Sequence, residues 1–434
     1  MGSEKSIGRV FASTGGYTLL LIMLVQLAAM LDRVILSVLL QPIKLDFHLT
    51  DTQLGFVSGL GFSLALSLAV LPMGYLADRV NRKRALVVIV SAWSLLTVTS
   101  GLARGFPLLC LARIGLGFAE GGQSPFVLSL IGDFFPSRYR ATALSFMYMG
   151  VPLGMLVGLL VGGMAAAAYG WHVAMMVAGA PGLALALVIG LTLREPRRGL
   201  QEDQPQTSAQ TLDFRQSLAF IVRTPALVHM FIGGAFASSV VCVMGVWLPA
   251  LLMRDFSASI GKVGPALAFS GGALGVLGSL ICGPIADRLG QGSPARMAFL
   301  TASFVLLFFP AAQLCVTAGD FNSALVFNGL FNLLVPGYLA CVHSTVLGVA
   351  HARVRGFAVA FLAIMLNLVG YGLGPQFAGM ASDWFAARHA ALPLRDAMMV
   401  LLVAALWGSA HFYHAARLLR DNGRLTSAPP AHAT

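Results

Sequence analysis

The chain has 434 residues, of which 57% are hydrophobic and only 10% charged, and its mean hydropathy is +0.82. A water-soluble domain carries about a quarter charged residues, so this composition excludes a globular protein dressed for water and makes lipid its main solvent. The formal net charge of +11 would suggest nucleic acid in a soluble protein; here the basic residues lie between apolar runs, where they read as a topology signal, and no nucleic-acid partner is expected.

Met1 to Thr14 contains no apolar stretch ending in a cleavage site, so no signal peptide is expected. Apolar segments then recur at 17–40, 53–76, 85–104, 107–131, 140–163 and 171–193. Each is near the roughly 20 residues that a bilayer-spanning helix needs. The stretch 194–223, with Glu195, Pro196, Arg197, Arg198, Glu202 and Asp203, is the one long polar interruption. Six further segments follow, at 226–252, 264–286, 297–317, 322–349, 356–382 and 394–418. The pattern predicts an all-α membrane protein of twelve transmembrane helices in two pseudo-symmetric six-helix bundles. The expected parts are a first bundle over 1–193, a cytoplasmic linker over 194–223, a second bundle over 224–418 and a cytoplasmic tail over 419–434.

Twelve crossings put both termini on one side. That side carries twenty of the 28 Lys and Arg residues, among them Arg79, Arg82, Lys83, Arg84, Arg138, Arg140, Arg288, Arg353 and Arg355. A bias of this size predicts cytoplasmic termini and a multi-pass protein of the cell (inner or plasma) membrane.

The two halves echo one another. Gly74-Tyr-Leu-Ala-Asp78-Arg79 follows the second helix and Gly283-Pro-Ile-Ala-Asp287-Arg288 the eighth. Internal duplication is the plan of a large class of transporters. Gly74, Asp78, Arg79, Arg82, Arg84, Asp287 and Arg288 are therefore candidates for conformational gating, their charges joining helix ends that part when the protein opens. A basic loop that merely fixes topology is the competing reading. Small residues at four-residue spacing mark the second, fifth, eighth and eleventh helices, for example Gly150, Gly154, Gly158 and Gly162, and recur in the sixth (Ala178, Gly182, Ala186, Gly190) and tenth (Ala340, Ser344, Gly348, Ala352). Such ridges let helices approach closely, and they predict the contact between halves that rock against each other.

Charge inside the apolar segments is confined to Asp32 and Arg33 in the first helix and Arg113 and Glu120 in the fourth, histidine aside. Intramembrane charge costs roughly 2.5–3.5 kcal/mol per residue on the insertion scale, so such groups face a cavity and pair. Asp32 and Arg113 are expected about 10 Å from the outer helix ends at 1.5 Å per residue, with Glu120 nearer the midplane. Desolvation favours a neutral carboxylic acid and a neighbouring cation favours the carboxylate. An acid facing Arg113 is thus a candidate proton switch, and arginine suits an anionic headgroup because its planar fork binds carboxylate or phosphate bidentately. A static ion pair is the alternative. Asn328, Asn332, His343 and Asn367 are possible cavity polar groups, with interhelical hydrogen bonding the other reading. His229 reads as a core histidine. Trp93, Trp247, Trp384 and Trp407 read equally as interface anchors or cavity walls. The five cysteines read as small hydrophobes. No metal or cofactor is expected.

The motif residues Gly74, Ala77, Asp78, Arg79, Arg82 and Arg84, and Arg113, Gly117 and Gly121 in the fourth helix, resemble the major facilitator superfamily over about 400 residues. Asn81 stands where that family usually has Gly. The stretches Asp32–Lys44, Leu49–Gly55, Ala112–Glu120 and Arg355–Gly374 are most similar to its Spinster group. The resemblance implies proton-linked transport of a lipid-like substrate, such as a lysophospholipid or sphingoid phosphate, with Asp32, Arg33, Arg113 and Glu120 as the working residues. The partners expected are that substrate, protons and the bilayer, around a monomer. Organic anion–proton symporters of the same superfamily, which move aromatic or sugar acids, share an Arg in the first helix and the R…G…E pattern. There is no nucleotide loop of the G-x-x-x-x-G-K-[ST] type and no clustered nucleophile, base and metal set. An ATP-driven pump or an intramembrane enzyme is therefore not expected, and a non-transporting receptor is a distant alternative.

Overall fold

The computed structural model describes residues 14–77, 79–135, 137–196, 213–351 and 354–427. Asp78, Arg353, the linker over 197–212, the tail from 428, and the side chains of Arg138 and Arg140 lie outside the described residues. Every regular element among the described residues is helical, as a chain in lipid requires when its backbone has no water to bond. We number these α1 (Thr14–Phe47), α2 (Asp51–Ala77), α3 (Arg82–Gly101), α4 (Phe106–Gly121), α5 (Gln123–Phe134), α6 (Ser137–Tyr148) and α7 (Gly150–Thr192). There follow α8 (Phe214–Arg223), α9 (Pro225–Asp255), α10 (Ile260–Gly290), α11 (Pro294–Val316), α12 (Phe321–Val349), α13 (Arg355–Ala386), α14 (Pro393–Leu402) and α15 (Ala404–Ser427).

Ten helical runs among the described residues are long and apolar enough to cross a membrane. The expected twelve segments map onto these runs with two adjustments. The fourth segment is split at Gly122 into α4 and α5. The fifth and sixth are merged into the run Thr142–Thr192, which at 1.5 Å per residue would be about 77 Å long and cannot be one crossing. It turns at Gly170, whose φ of 82° is open to glycine and strained for other residues. Helix α1 also runs past the expected end at residue 40, through Pro42 to Phe47. Asp32 is therefore about 22 Å from the end of α1 rather than 10 Å.

Packing divides the described residues into two compact units. The first takes those up to residue 207 with Gly245–Ala273 and Pro375–Leu394; the second takes those of Ser208–Met244 and Leu274–Gly374 and those from Arg395 onward.

In the first unit the glycine ridge of α7 lies on α1. A Cβ at Gly150 would stand 2.3 Å from the Met23 carbonyl oxygen, and one at Gly154 2.3 Å from that of Leu27. This ridge therefore joins two helices of the same half, not the two halves as the spacing suggested. Gly163 and Gly264 do meet across the duplication, each Cβ position within 2.7 Å of the other's Cα. Trp93 is fully buried in this unit's core with Leu19, Val90, Phe126 and Phe135. In the second unit Phe308 packs on Phe331 and Tyr338, with ring centroids 5.2 and 6.1 Å apart. The Tyr338 hydroxyl donates to the Gly234 carbonyl at 3.2 Å. Trp247 is buried whereas Trp384 and Trp407 are 51% and 63% exposed, so Trp93 and Trp247 are core residues and Trp384 and Trp407 suit the aromatic belt at a membrane interface.

π-Helical turns interrupt α2 at Phe56–Leu60, α10 at Ala268–Ala273 and α13 at Met365–Leu373. All three lie in helices that carry small-residue ridges, and such turns recur at functional sites. Asn81 is the N-cap of α3, its side chain accepting from the Arg84 N–H at 2.8 Å with φ −67°. A capping asparagine serves this turn, so the departure from Gly costs nothing here.

Candidate functional site

The intramembrane charges converge in the first unit because glycines let α4 press onto α2. A Cβ at Gly117 would lie 2.3 Å from the Phe62 carbonyl oxygen, and one at Gly121 2.4 Å from that of Leu66. Spaced at i and i+4, these glycines set the face that carries Arg113 and Glu120. Asp32, Arg113 and Glu120 are 1%, 2% and 3% exposed.

Arg33 donates from Nε to Glu120 Oε2 at 2.5 Å, the arginine side chain being 24% exposed and the glutamate fully buried. Arg113 donates from Nη1 to the backbone carbonyl of Asp32 at 3.5 Å. Both guanidinium carbons stand over the Phe62 ring, 5.1 and 5.2 Å from its centroid, a cation–π arrangement that holds the two cations side by side. Neither Asp32 oxygen accepts a hydrogen bond, and Glu120 Oε1 is buried without one. The Thr97 hydroxyl beside Asp32 donates instead to the Trp93 carbonyl at 3.2 Å. The site is thus two acids and two arginines, three of the four almost fully buried, with both Asp32 oxygens and Glu120 Oε1 left without hydrogen-bond partners. Unsatisfied buried carboxylate oxygens are costly in a static structure; they suit a site that takes up a proton or exchanges partners.

Gln123 donates to Gln26 beside this cluster. The amides were not distinguishable in the sequence from ordinary interhelical hydrogen bonding, though their places in apolar runs were a signal.

The first half's loop residues form a different device. Arg82 is 1% exposed and donates to Asp133, to Glu195 at 2.9 Å and to the Ser129 hydroxyl at 3.0 Å. The Lys83 N–H donates to Glu195 at 2.7 Å. Arg82 therefore fastens α3, α5 and the chain after α7 within one unit. Arg79 lies on the Tyr75 ring at 3.4 Å, and Arg84, Asp287 and Arg288 are exposed. Nothing lies within 4 Å of a Cβ placed at Gly74. The second-half polar groups mostly serve their own helices. The Asn332 amide donates to the Asn328 carbonyl at 2.9 Å and that of Asn367 to the Ala363 carbonyl at 2.8 Å, and His343 Nδ1 is 2.8 Å from the Leu339 carbonyl oxygen. His229 is not alone: its Nδ1 is 2.7 Å from that of His411, and the His414 ring is 4.5 Å away.

A cluster not foreseen from sequence closes the far end of α1. Asp51 accepts Arg254 through both terminal nitrogens at 2.7 Å, Lys44 Nζ at 2.6 Å and the Ser382 hydroxyl at 2.6 Å. Asp383 accepts the backbone N–H groups of Asp51 and Thr52 at 3.0 and 2.8 Å. Gly379 lies so close that its Cβ would fall 2.2 Å from the Asp51 carbonyl oxygen. The start of α2 is thereby latched to the ends of α9 and α13, all within the first unit. The signal was faint because charges at helix ends are common.

A family model of the Major Facilitator Superfamily matches residues 22–375. Among curated relatives, an MFS-type efflux pump of Mycolicibacterium smegmatis is 28% identical over 373 residues, covering 86% of each chain. Human protein spinster homolog 1 is 27% identical over 439 residues, covering 94% of this chain and 82% of that one. Solved structures similar to this chain include a bacterial homolog of the human lysosomal transporter Spinster, in an inward-facing and unoccupied conformation. That structure has a TM-score of 0.85 and 25% identity, and the match covers 99% of this chain and all of the other. The chain is a multi-pass membrane transporter, not an enzyme, and it belongs to the major facilitator superfamily, with Spinster homologues among its relatives.

Proposed function

We propose that this chain is a proton-coupled secondary transporter that moves an amphiphilic anionic solute by alternating access. The observation that carries the reading is the Arg33–Glu120 pair beside Asp32, a buried acid whose two oxygens lack hydrogen-bond partners. Protonating Glu120 removes the charge that holds Arg33 and frees its guanidinium, with Arg113 next to it, for a substrate carboxylate or phosphate. Losing the proton restores the pair and expels the anion. Coupling follows because two acids balance two arginines only when no anion is bound. The latch at Asp51 is the gate on the side opposite the termini, and its opening completes the cycle. With both termini in the cytoplasm, that gate faces outward.

The test is binding of a lysophospholipid, a sphingoid phosphate and a panel of aromatic and sugar acids to the purified protein and to Arg113→Ala. Loss of at least tenfold in affinity for the bound class supports the headgroup role. Unchanged affinity makes Arg113 structural. Binding of small acids alone moves the substrate from lipids to organic anions.

A further inference from the structure

The second unit carries a basic pocket that the transport reading does not use. It opens at the end shared by α11 and α15, with a volume of about 420 Å³, and is lined by Ser293, Arg296, Phe299, Tyr413, Arg417 and Arg420. The two helices are packed together roughly 12 Å deeper, where the Ser409 hydroxyl donates to the Ala302 carbonyl at 2.9 Å. Three arginines point into one depression whose lining contains no carboxylate. Asp421 lies beside the depression, 3.9 Å from Arg420 Nε and 63% exposed. Arg296 is held by the neutral side chain of Gln291, and Arg417 lies over the Tyr413 ring at 5.0 Å. Among the described residues neither Arg296 nor Arg417 has a carboxylate partner.

We propose that this pocket binds the phosphate headgroup of an anionic phospholipid, separate from any transported solute. Three guanidiniums match a phosphodiester, which accepts bidentate hydrogen bonds. The depression lies at the ends of two membrane-crossing helices, where lipid headgroups sit, and basic pockets between such helices are a recurrent lipid-binding form. The apolar surface running away from it suits an acyl chain. Phe299 and Leu306, seven residues apart on one face of α11, are 51% and 53% exposed, and Leu406 and Tyr413, seven residues apart on α15, are 38% and 44% exposed, with the Tyr413 ring 6.2 Å from that of Phe299. A free phosphate ion would use the arginines and leave this strip without a role. The occupant is therefore a lipid of the leaflet that faces the termini.

The test uses the full chain, delipidated in detergent and titrated with phosphatidylglycerol or phosphatidylcholine, read by native mass spectrometry and by thermal unfolding. Phosphatidylglycerol is expected to bind about tenfold more tightly than phosphatidylcholine and to raise the unfolding temperature. The variant Arg296→Gln/Arg417→Gln/Arg420→Gln should lose both effects while unfolding at the wild-type temperature without lipid, since all three side chains are exposed. Glu120→Gln should keep both, which separates this site from the proposed transport site. Equal binding of the two lipids, retention of the adducts by the triple variant, or displacement of phosphatidylglycerol by millimolar inorganic phosphate would overturn the proposal.

Discussion

Asp51→Asn tests the latch with little change of shape. Asp51 is 2% exposed and holds Arg254, Lys44 and Ser382 at 2.6–2.7 Å. Removing one partner of a buried ion pair costs about 3–5 kcal/mol. The side chains of Arg254 and Lys44 are 19% and 27% exposed, so water recovers part of that, and about 2 kcal/mol is the working figure. In the proposed cycle these contacts are lost when the gate opens, so their removal is expected to shift the closed-to-open ratio by about 30-fold, at 1.4 kcal/mol per factor of ten. An open population of roughly one in a hundred would become about one in four. The assay is pulsed electron paramagnetic resonance between spin labels at Leu45→Cys and His389→Cys, both exposed, in a background lacking the five native cysteines. A second, longer distance should grow in Asp51→Asn and in Arg254→Gln. Distance distributions identical to the parent in both variants would refute the latch.

Arg82→Ala should lower the unfolding temperature sharply, by the equivalent of about 3 kcal/mol, because it leaves Asp133 and Glu195 without their shared cation. Arg82→Lys should recover only part, since a point charge does not reproduce the fork. Gly154→Ala should cost about 1–3 kcal/mol, its Cβ meeting the α1 backbone at 2.3 Å, whereas Gly283→Ala, with nothing within 4 Å, should be neutral; thermal unfolding of both variants checks this. At the start of α12, hydrogen bonds from the Ser323 hydroxyl and N–H and the Asn322 N–H hold Asp320 below the usual carboxylate range. Its stabilisation is present above the unfolded carboxylate's pKa and is lost as pH falls through the depressed folded value. Asp320→Ala should therefore unfold more easily than the parent at pH 7, and the gap should close in strong acid.

The crossings were legible because lipid enforces long apolar runs, and Asp32, Arg33, Arg113 and Glu120 were legible because charge in such a run is expensive. Their pairing was not. Spacing places an acid near Arg113, and both Asp32 and Glu120 are its charged neighbours, but it does not reveal that the cation bonded to Glu120 is Arg33. That choice is set by how the glycines of α4 seat it on α2, and spacing along one helix does not reveal its rotation against another. The latch escaped because Asp51, Arg254 and Asp383 are far apart in sequence and each sits where solvated charge is ordinary. The glycine ridge of α7 shows that a backbone approaches but not which one, and spacing alone does not reveal that the partner is α1 of the same half.

Proton coupling is tested by proton movement in proteoliposomes containing a pH dye, challenged in turn with a lysophospholipid, a sphingoid phosphate and aromatic and sugar acids. A substrate-evoked proton flux is expected in the wild type and should be absent in Glu120→Gln, with substrate binding retained. Full gradient-driven transport by Glu120→Gln would contradict that coupling.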